Sequence, residues 1–201
     1  MRAMRTLSLA VVVMAVLAAA CSPLVSVNPL SSPAEPDKRL EGLWRYESKE
    51  GDRVFLHVGE KDLNRMEAVS IEHRDDGTLN VIRAPFFITK TAGNEYLNLR
   101  LEEVDEEGAE NKYQGFLFLK YTVDDDSLMV FPLTKEPIIA AIQANALKGE
   151  VVYDDKGGDA RSAPTIDHVT ITDDSANILQ FLETGNHAEL FPEAMRFVRM
   201  K

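Results

Sequence analysis

Beyond residue 39 the chain alternates apolar and polar positions with a period of two far more often than it follows a helical period. Leu40, Gly42, Trp44 and Tyr46 alternate with Glu41, Leu43, Arg45 and Glu47, which predicts a strand with both aromatic rings turned inward. Residues 53–58 follow as a strand after the turn-forming Glu50-Gly51-Asp52. Residues 65–73 and 78–89 flank Asp76-Gly77, a dipeptide suited to the tight turn that matches strand twist in a hairpin. In residues 95–102, Leu97, Leu99 and Leu101 share one face and Tyr96, Asn98 and Arg100 the other, so one face should be buried and one wet. Residues 113–123 are apolar on both faces, with Phe116 and Phe118 opposite Leu117 and Leu119, so their outer side should be covered. Residues 127–133, 150–153, 167–172 and 195–200 complete the extended set.

The period lengthens twice. A helix is expected from Thr134, whose hydroxyl can cap it, with Pro137 tolerated in the first turn and Lys148-Gly149 as its stop. Ile138, Ile139, Ile142 and Ala146 form its apolar face, which should lie over a sheet. A second helix spans about residues 174–184, with Ile178, Phe181 and Leu182 on one side and Gly185 at its end. The sum is a mainly β fold, an antiparallel barrel or sandwich of about eight to ten strands with two short helices in the C-terminal half. Residues 39–201 are long enough to bury a core as one domain.

The N-terminal residues follow a different rule. Residues 1–20 begin with Arg2 and Arg5, continue as an apolar run to Leu17 and close on small residues, the order of a secretory signal peptide. The run is too short for a transmembrane helix, which needs about 20 apolar residues. Cys21, the single cysteine, stands directly after Ala18-Ala19-Ala20. A lone cysteine in an exported chain calls for an explanation. This stretch resembles the lipobox of bacterial lipoproteins, with Ala18 where that family usually has leucine. The resemblance implies that Cys21 becomes the lipidated N-terminus and the partner of a membrane. Ser22 after the cysteine, by the enterobacterial sorting pattern, implies the outer membrane, facing the periplasm. Stable attachment needs more than one acyl chain, which multiple acylation of Cys21 would supply. Residues 21–38 carry Pro23, Pro29, Pro33 and Pro36 among serines, and read as an extended tether able to hold the domain up to roughly 50 Å from the lipid.

Charge narrows the partners. The chain has 22 Lys+Arg against 33 Asp+Glu; losing Arg2 and Arg5 with the signal peptide leaves 20 against 33, so the formal charge moves from −11 to −13. Such a surface disfavours nucleic acid and anionic headgroups. With Cys21 taken by lipid, no cysteine remains for a disulfide, and the core alone must hold the fold.

The Gly42-Leu43-Trp44 triplet at the head of the first strand, the meander after it, a late helix and an arginine in the last strand resemble the lipocalin or calycin barrel. The resemblance implies a closed barrel that binds a small apolar molecule or lipid, with Trp44, Tyr46, Leu97, Leu99, Leu101, Leu117 and Leu119 inside it. It also implies that Arg199 lies over the Trp44 ring. Parity agrees: Arg199 shares a face with Met195 and Phe197, whereas Arg196 should meet solvent. The alternative is a packed barrel that engages an envelope protein through its surface. An eight-stranded barrel sits at the size where side chains fill the interior or leave room for one small ligand, and cavity volume separates the two.

Catalytic patterns are sparse, and no enzyme, cofactor or metal is expected. His57, His73, His168 and His187 lack zinc spacing, and Asp167-His168 has no Gly-x-Ser-x-Gly serine to serve. Asp124-Asp125-Asp126 and Asp154-Asp155 with Asp159 lack the spacing of a calcium loop and read as solvated turns. Gly157-Gly158 lacks the lysine and helix of a phosphate loop.

Overall fold

The computed structural model describes residues 23–47, 53–73, 78–106, 113–153 and 166–201. Among these lie twelve strands: β1 (Leu24–Ser26), β2 (Gly42–Glu47), β3 (Arg53–Asp62), β4 (Arg65–His73), β5 (Leu79–Lys90), β6 (Glu95–Arg100), β7 (Asp105–Glu106), β8 (Phe116–Val123), β9 (Ser127–Pro132), β10 (Gly149–Tyr153), β11 (Ile166–Ile171) and β12 (Met195–Arg199). Three helices accompany them: α1 (Lys135–Gln143), α2 (Ser175–Thr184) and α3 (His187–Leu190). Cys21, the Asp76-Gly77 turn and the acidic and glycine positions at 154–159 lie outside the described residues.

Eight strands close an antiparallel barrel in the order β8-β6-β5-β4-β3-β2-β12-β9, with β9 pairing back onto β8. Residues β2 to β6 form a plain meander. Closure comes from the chain's last strand, which slots between the first and last barrel strands with Arg199 opposite Trp44 and Phe197 opposite Leu128. A closed sheet leaves no barrel edge to recruit another chain.

Beside the barrel, β1, β11 and β10 extend the sheet outward from β8. Strand β1 runs parallel to β11, with Leu24 opposite Val169, and meets β8 where Ser26 faces Phe116. The join depends on Gly115, whose φ of 110° suits glycine and where a Cβ would sit 2.4 Å from the Ser26 carbonyl oxygen.

The two-sided apolar character of β8 explains the two cores. Leu117 and Leu119 point into the barrel with Leu56, Phe86, Leu97 and Leu99. Phe116 and Phe118 point outward into a second core with Phe87, Tyr96, Ile138, Ile171, Ile178 and Leu182, covered by the helices and the sheet extension. Full burial of each such aliphatic or phenyl side chain contributes about 1.5–3 kcal/mol, so neither cluster is incidental.

Several expectations need correction. Residues 23–38 are not a free tether: Leu24–Ser26 is a sheet strand, Leu30 is buried, and the segment continues as a belt over the outer faces of β5 and β6. The Leu30 amide donates to Asn98 Oδ1 at 2.9 Å, and the Ala34 amide donates to the Ile88 carbonyl at 3.2 Å. The prolines keep this belt extended, while its few apolar residues find partners far away in sequence. The face of β6 expected to be wet is consequently dry at Tyr96 and Asn98, both buried, and exposed only at Arg100. Asn98 is accommodated because its amide nitrogen donates to Thr89 Oγ1 at 3.0 Å.

The helices also differ in detail. Thr134 caps α1 without a side-chain hydrogen bond; its amide instead donates to the Leu190 carbonyl. The helix ends at Gln143, ahead of Asn145, whose φ of 58° is a left-handed terminus. Ile138 and Ala141 are its buried residues, with Ile142 half-buried. Helix α3 is a single turn that residue periodicity is too short to reveal; Asn186 caps it by accepting from the Ala188 amide.

Candidate functional site: the barrel lumen and its closed end

Inward positions of the eight strands are apolar almost throughout, and they leave a void of about 50 Å³ lined entirely by apolar side chains. Leu97, Leu99, Leu117 and Leu119 line it, joined by Leu56, Val58, Phe86, Leu128, Val130, Met195 and Phe197. Trp44 and Leu101 are buried in the same core without bordering the void, and Tyr46 is partly buried against Phe197, ring centroids 5.6 Å apart. Pockets for drug-sized ligands measure about 300–1,000 Å³, so side chains fill most of this interior.

One end of the barrel is sealed by the segment between the belt and β2. Leu40 plugs the lumen, and its carbonyl accepts from the Trp44 indole Nε1 at 2.8 Å. The Arg199 guanidinium lies 4.0 Å from the indole centroid. It donates to three carbonyls that hydrogen bonding within the sheet leaves available: Glu41 at 2.6 Å, Arg39 at 2.5 Å and Asp125 at 2.7 Å. Gly42 makes this approach possible: its φ is 129°, and a Cβ there would stand 2.8 Å from an Arg199 terminal nitrogen. The glycine and tryptophan of the triplet thus serve one arginine, the first by leaving room and the second by offering its ring face. Arg196, of opposite parity, is exposed, and Phe197 is fully buried.

Asp37, which the sequence did not single out, is the acidic hub of the same end. It caps the 3₁₀ turn Lys38–Leu40, accepting from the Arg39 amide at 3.1 Å and Nε at 2.9 Å, and from the Tyr121 hydroxyl at 3.1 Å. Burial pushes its carboxyl up, but the Arg39 and Tyr121 hydrogen bonds outweigh this and hold it below the usual carboxylate range. Arg39 also reaches Glu95 at 2.8 Å, tying the plug to β6.

Outside the lumen most of the polar groups that suggest chemistry are engaged in structure. Asp124 accepts from the Asp126 and Ser127 amides and the Ser127 hydroxyl, which makes the triple-aspartate stretch a capped turn. His168 bonds its neighbour Asp167 at 2.9 Å, His57 is exposed, and His187 Nδ1 lies 2.9 Å from Lys120 Nζ. Glu183 on α2 accepts from Tyr96, Asn94 and Thr91 and so fastens the helix to the β5–β6 turn. A shallow groove of about 140 Å³ lies between Pro33 and the pairs that Arg65 and Arg100 make with Glu103. Among the described residues no group of three or more His, Cys, Asp or Glu side chains is arranged to hold a metal ion.

Asp173 supplies a pH-sensitive joint between α2 and the turn that leads from α1 into β10. Its carboxylate accepts from Asn177 Nδ2 and from the Lys148 and Asp174 amides, each at 3.0 Å. These bonds, the one from Asn177 foremost, draw its pKa down to about 2. The ordinary value is near 3.9, so its contribution is fully present above about pH 4 and is lost as pH falls toward 2. Asp173→Asn should therefore lower the urea midpoint at pH 7, and the difference should shrink below pH 4 and close near pH 2. A constant difference across that range would show that the carboxylate charge is not what secures the joint.

No protein-family model matches the chain, and comparisons with curated proteins and with solved structures return no match.

Proposed function

We propose that this chain is a lipid-anchored protein of the cell envelope whose lipocalin-like barrel acts as a non-enzymatic interaction module with a filled interior. The observation carrying this reading is the void of about 50 Å³, far below the roughly 300 Å³ at which a pocket accommodates a small molecule. The lipocalin-like kinship is supported by Gly42, Trp44 and Arg199 acting together at the closed end, and by strand order. The anchor is supported by residues 1–20 and Cys21, and the outer membrane, facing the periplasm, by Ser22.

The protein-partner reading is supported by an exposed apolar strip on the outer face of β2 and β12. Met200 donates its amide to the Leu43 carbonyl at 2.8 Å, and Leu43, Val198 and Met200 are each about two-fifths exposed. Parity puts all three on the outside, forming an apolar strip of the kind that partners cover.

A second reading, carriage of a narrow apolar molecule, is favoured by the wholly apolar lining of the void. One preparation separates the two. Cys21→Ala protein, exported and purified without detergent, should appear in the soluble fraction and fly in native mass spectrometry at the mass of the bare chain. A stoichiometric adduct extractable into organic solvent would establish the carrier instead. Retention on membranes after a high-salt wash would overturn Cys21 as the sole anchor.

A further inference from the structure

We infer that the folded domain rests against the bilayer, with the outer end of its sheet extension in the headgroup layer and the sealed end of the barrel on the membrane side. This rests on the proposal that Cys21 carries the lipid. If it does, the link to the fold is very short. Pro23 is already part of the sheet, its carbonyl accepting from the Val169 amide at 2.9 Å, and Leu24 to Ser26 are paired with β11. Two peptide units span at most about 7 Å, so Cys21 cannot lie further than that from the sheet. The headgroup layer of one leaflet is about 5–8 Å thick, so this link cannot carry the domain clear of it.

Strand directions then fix which face is presented. Strand β1 starts at Leu24, directly after Pro23, its parallel neighbour β11 starts at Ile166, and antiparallel β10 ends at Tyr153 opposite Ile166, so the three termini share one end. Tyr153 is 41 % exposed there, a phenol of the type enriched at membrane interfaces. Exposed Asp167 stands beside it, so among the described residues this end offers anionic headgroups no attraction, and the placement rests on the covalent anchor. Strand β8 runs opposite to β1, β6 opposite to β8, and β5 opposite to β6; β5 therefore begins, at Leu79, at the far end. Gly42 begins β2 at the near end, which brings the Trp44–Arg199 seal toward the membrane and points the other rim of the barrel toward the aqueous space.

The test uses the full lipidated chain in vesicles of phosphatidylethanolamine and phosphatidylglycerol containing a lipid with a nitroxide on its headgroup. A fluorophore is attached through Tyr153→Cys in one preparation and Leu79→Cys in another, Cys21 being blocked by its lipid; both positions are exposed, so folding is preserved. Quenching is expected to be several-fold stronger at 153 than at 79. Insertion of a Gly/Ser linker of about 20 residues between Ser22 and Pro23, with a mean reach of roughly 25 Å, should abolish the difference. Equal weak quenching at both sites in vesicle-bound protein would overturn the placement while leaving the anchor intact, and stronger quenching at 79 would overturn it by reversing the orientation. Protein that does not float with vesicles would overturn the anchor and the placement together.

Discussion

Replacing Arg199 by alanine is expected to destabilise the domain by about 2–4 kcal/mol, because one side chain provides three charge-assisted hydrogen bonds and the cover of an indole. Its donors meet the carbonyls of Arg39 and Glu41, on either side of the Leu40 plug, and of Asp125 in the β8–β9 turn. Removing it therefore loosens the last strand from both the plug and the β8–β9 turn at once. For a domain of this size such a loss lowers Tm by on the order of 10 °C. Lysine should recover only a small part, since its ammonium has neither the planar face nor the fork that reaches carbonyls on separate segments. Trp44, the single tryptophan, reports the site directly: it is fully buried, and its emission should move to the red in Arg199→Ala before global unfolding. A stability-neutral Arg199→Ala with unshifted emission would show that Leu40 alone seals the barrel.

What the sequence made legible was the set of local periodicities. Nearly every barrel strand lies where alternation predicts it, since burial of one face against a shared interior imposes a period of two whatever the partner strand is. Arg199 was legible from the lipocalin resemblance and parity together: the resemblance implied an arginine over the tryptophan, and parity put Arg199, not Arg196, on the inward face of the last strand. Helix ends and the single-turn α3 were missed because such local features are too short to show a period; the larger misses involve contacts made across long sequence distances. Leu24, Val25 and Leu30 are too few to show a period, and their burial depends on Val169 and Asn98 arriving from elsewhere. Tyr96 and Asn98 read as solvent-facing because polarity says that a group needs hydrogen-bond partners, not that the partners are water. Asp37, Asp173 and Glu183 were not separable from the other acidic residues for the same reason. Only the fold brings Tyr121, Lys148 and Tyr96 to them. The size of the lumen was open because volume depends on how side chains interlock, and an eight-stranded barrel permits either outcome.

The largest single effect is expected from Ile138→Asp, and it should be confined to one half of the molecule. Ile138 is fully buried in the outer core, which includes Leu147, Ile171, Ile178 and Leu182 and is distinct from the core inside the barrel. The substitution removes a buried aliphatic group, a loss of about 2–5 kcal/mol by comparison with truncation to alanine. It also forces a carboxylate either to stay dry without a partner or to pull α1 off the sheet, at a further several kcal/mol. The second route is open to the molecule because α1 lies on the outside of a barrel closed by its own hydrogen bonds. Amide hydrogen exchange should accordingly accelerate in α1, β10 and β11, while β2 to β6 keep their protection and Trp44 its blue emission. Ile142→Asp, at a half-buried position on the same helix, should show a weaker form of the same pattern. If Ile138→Asp instead exposed Trp44 in step with the loss of helix, the two cores would be one cooperative unit and the barrel would depend on its outer cover.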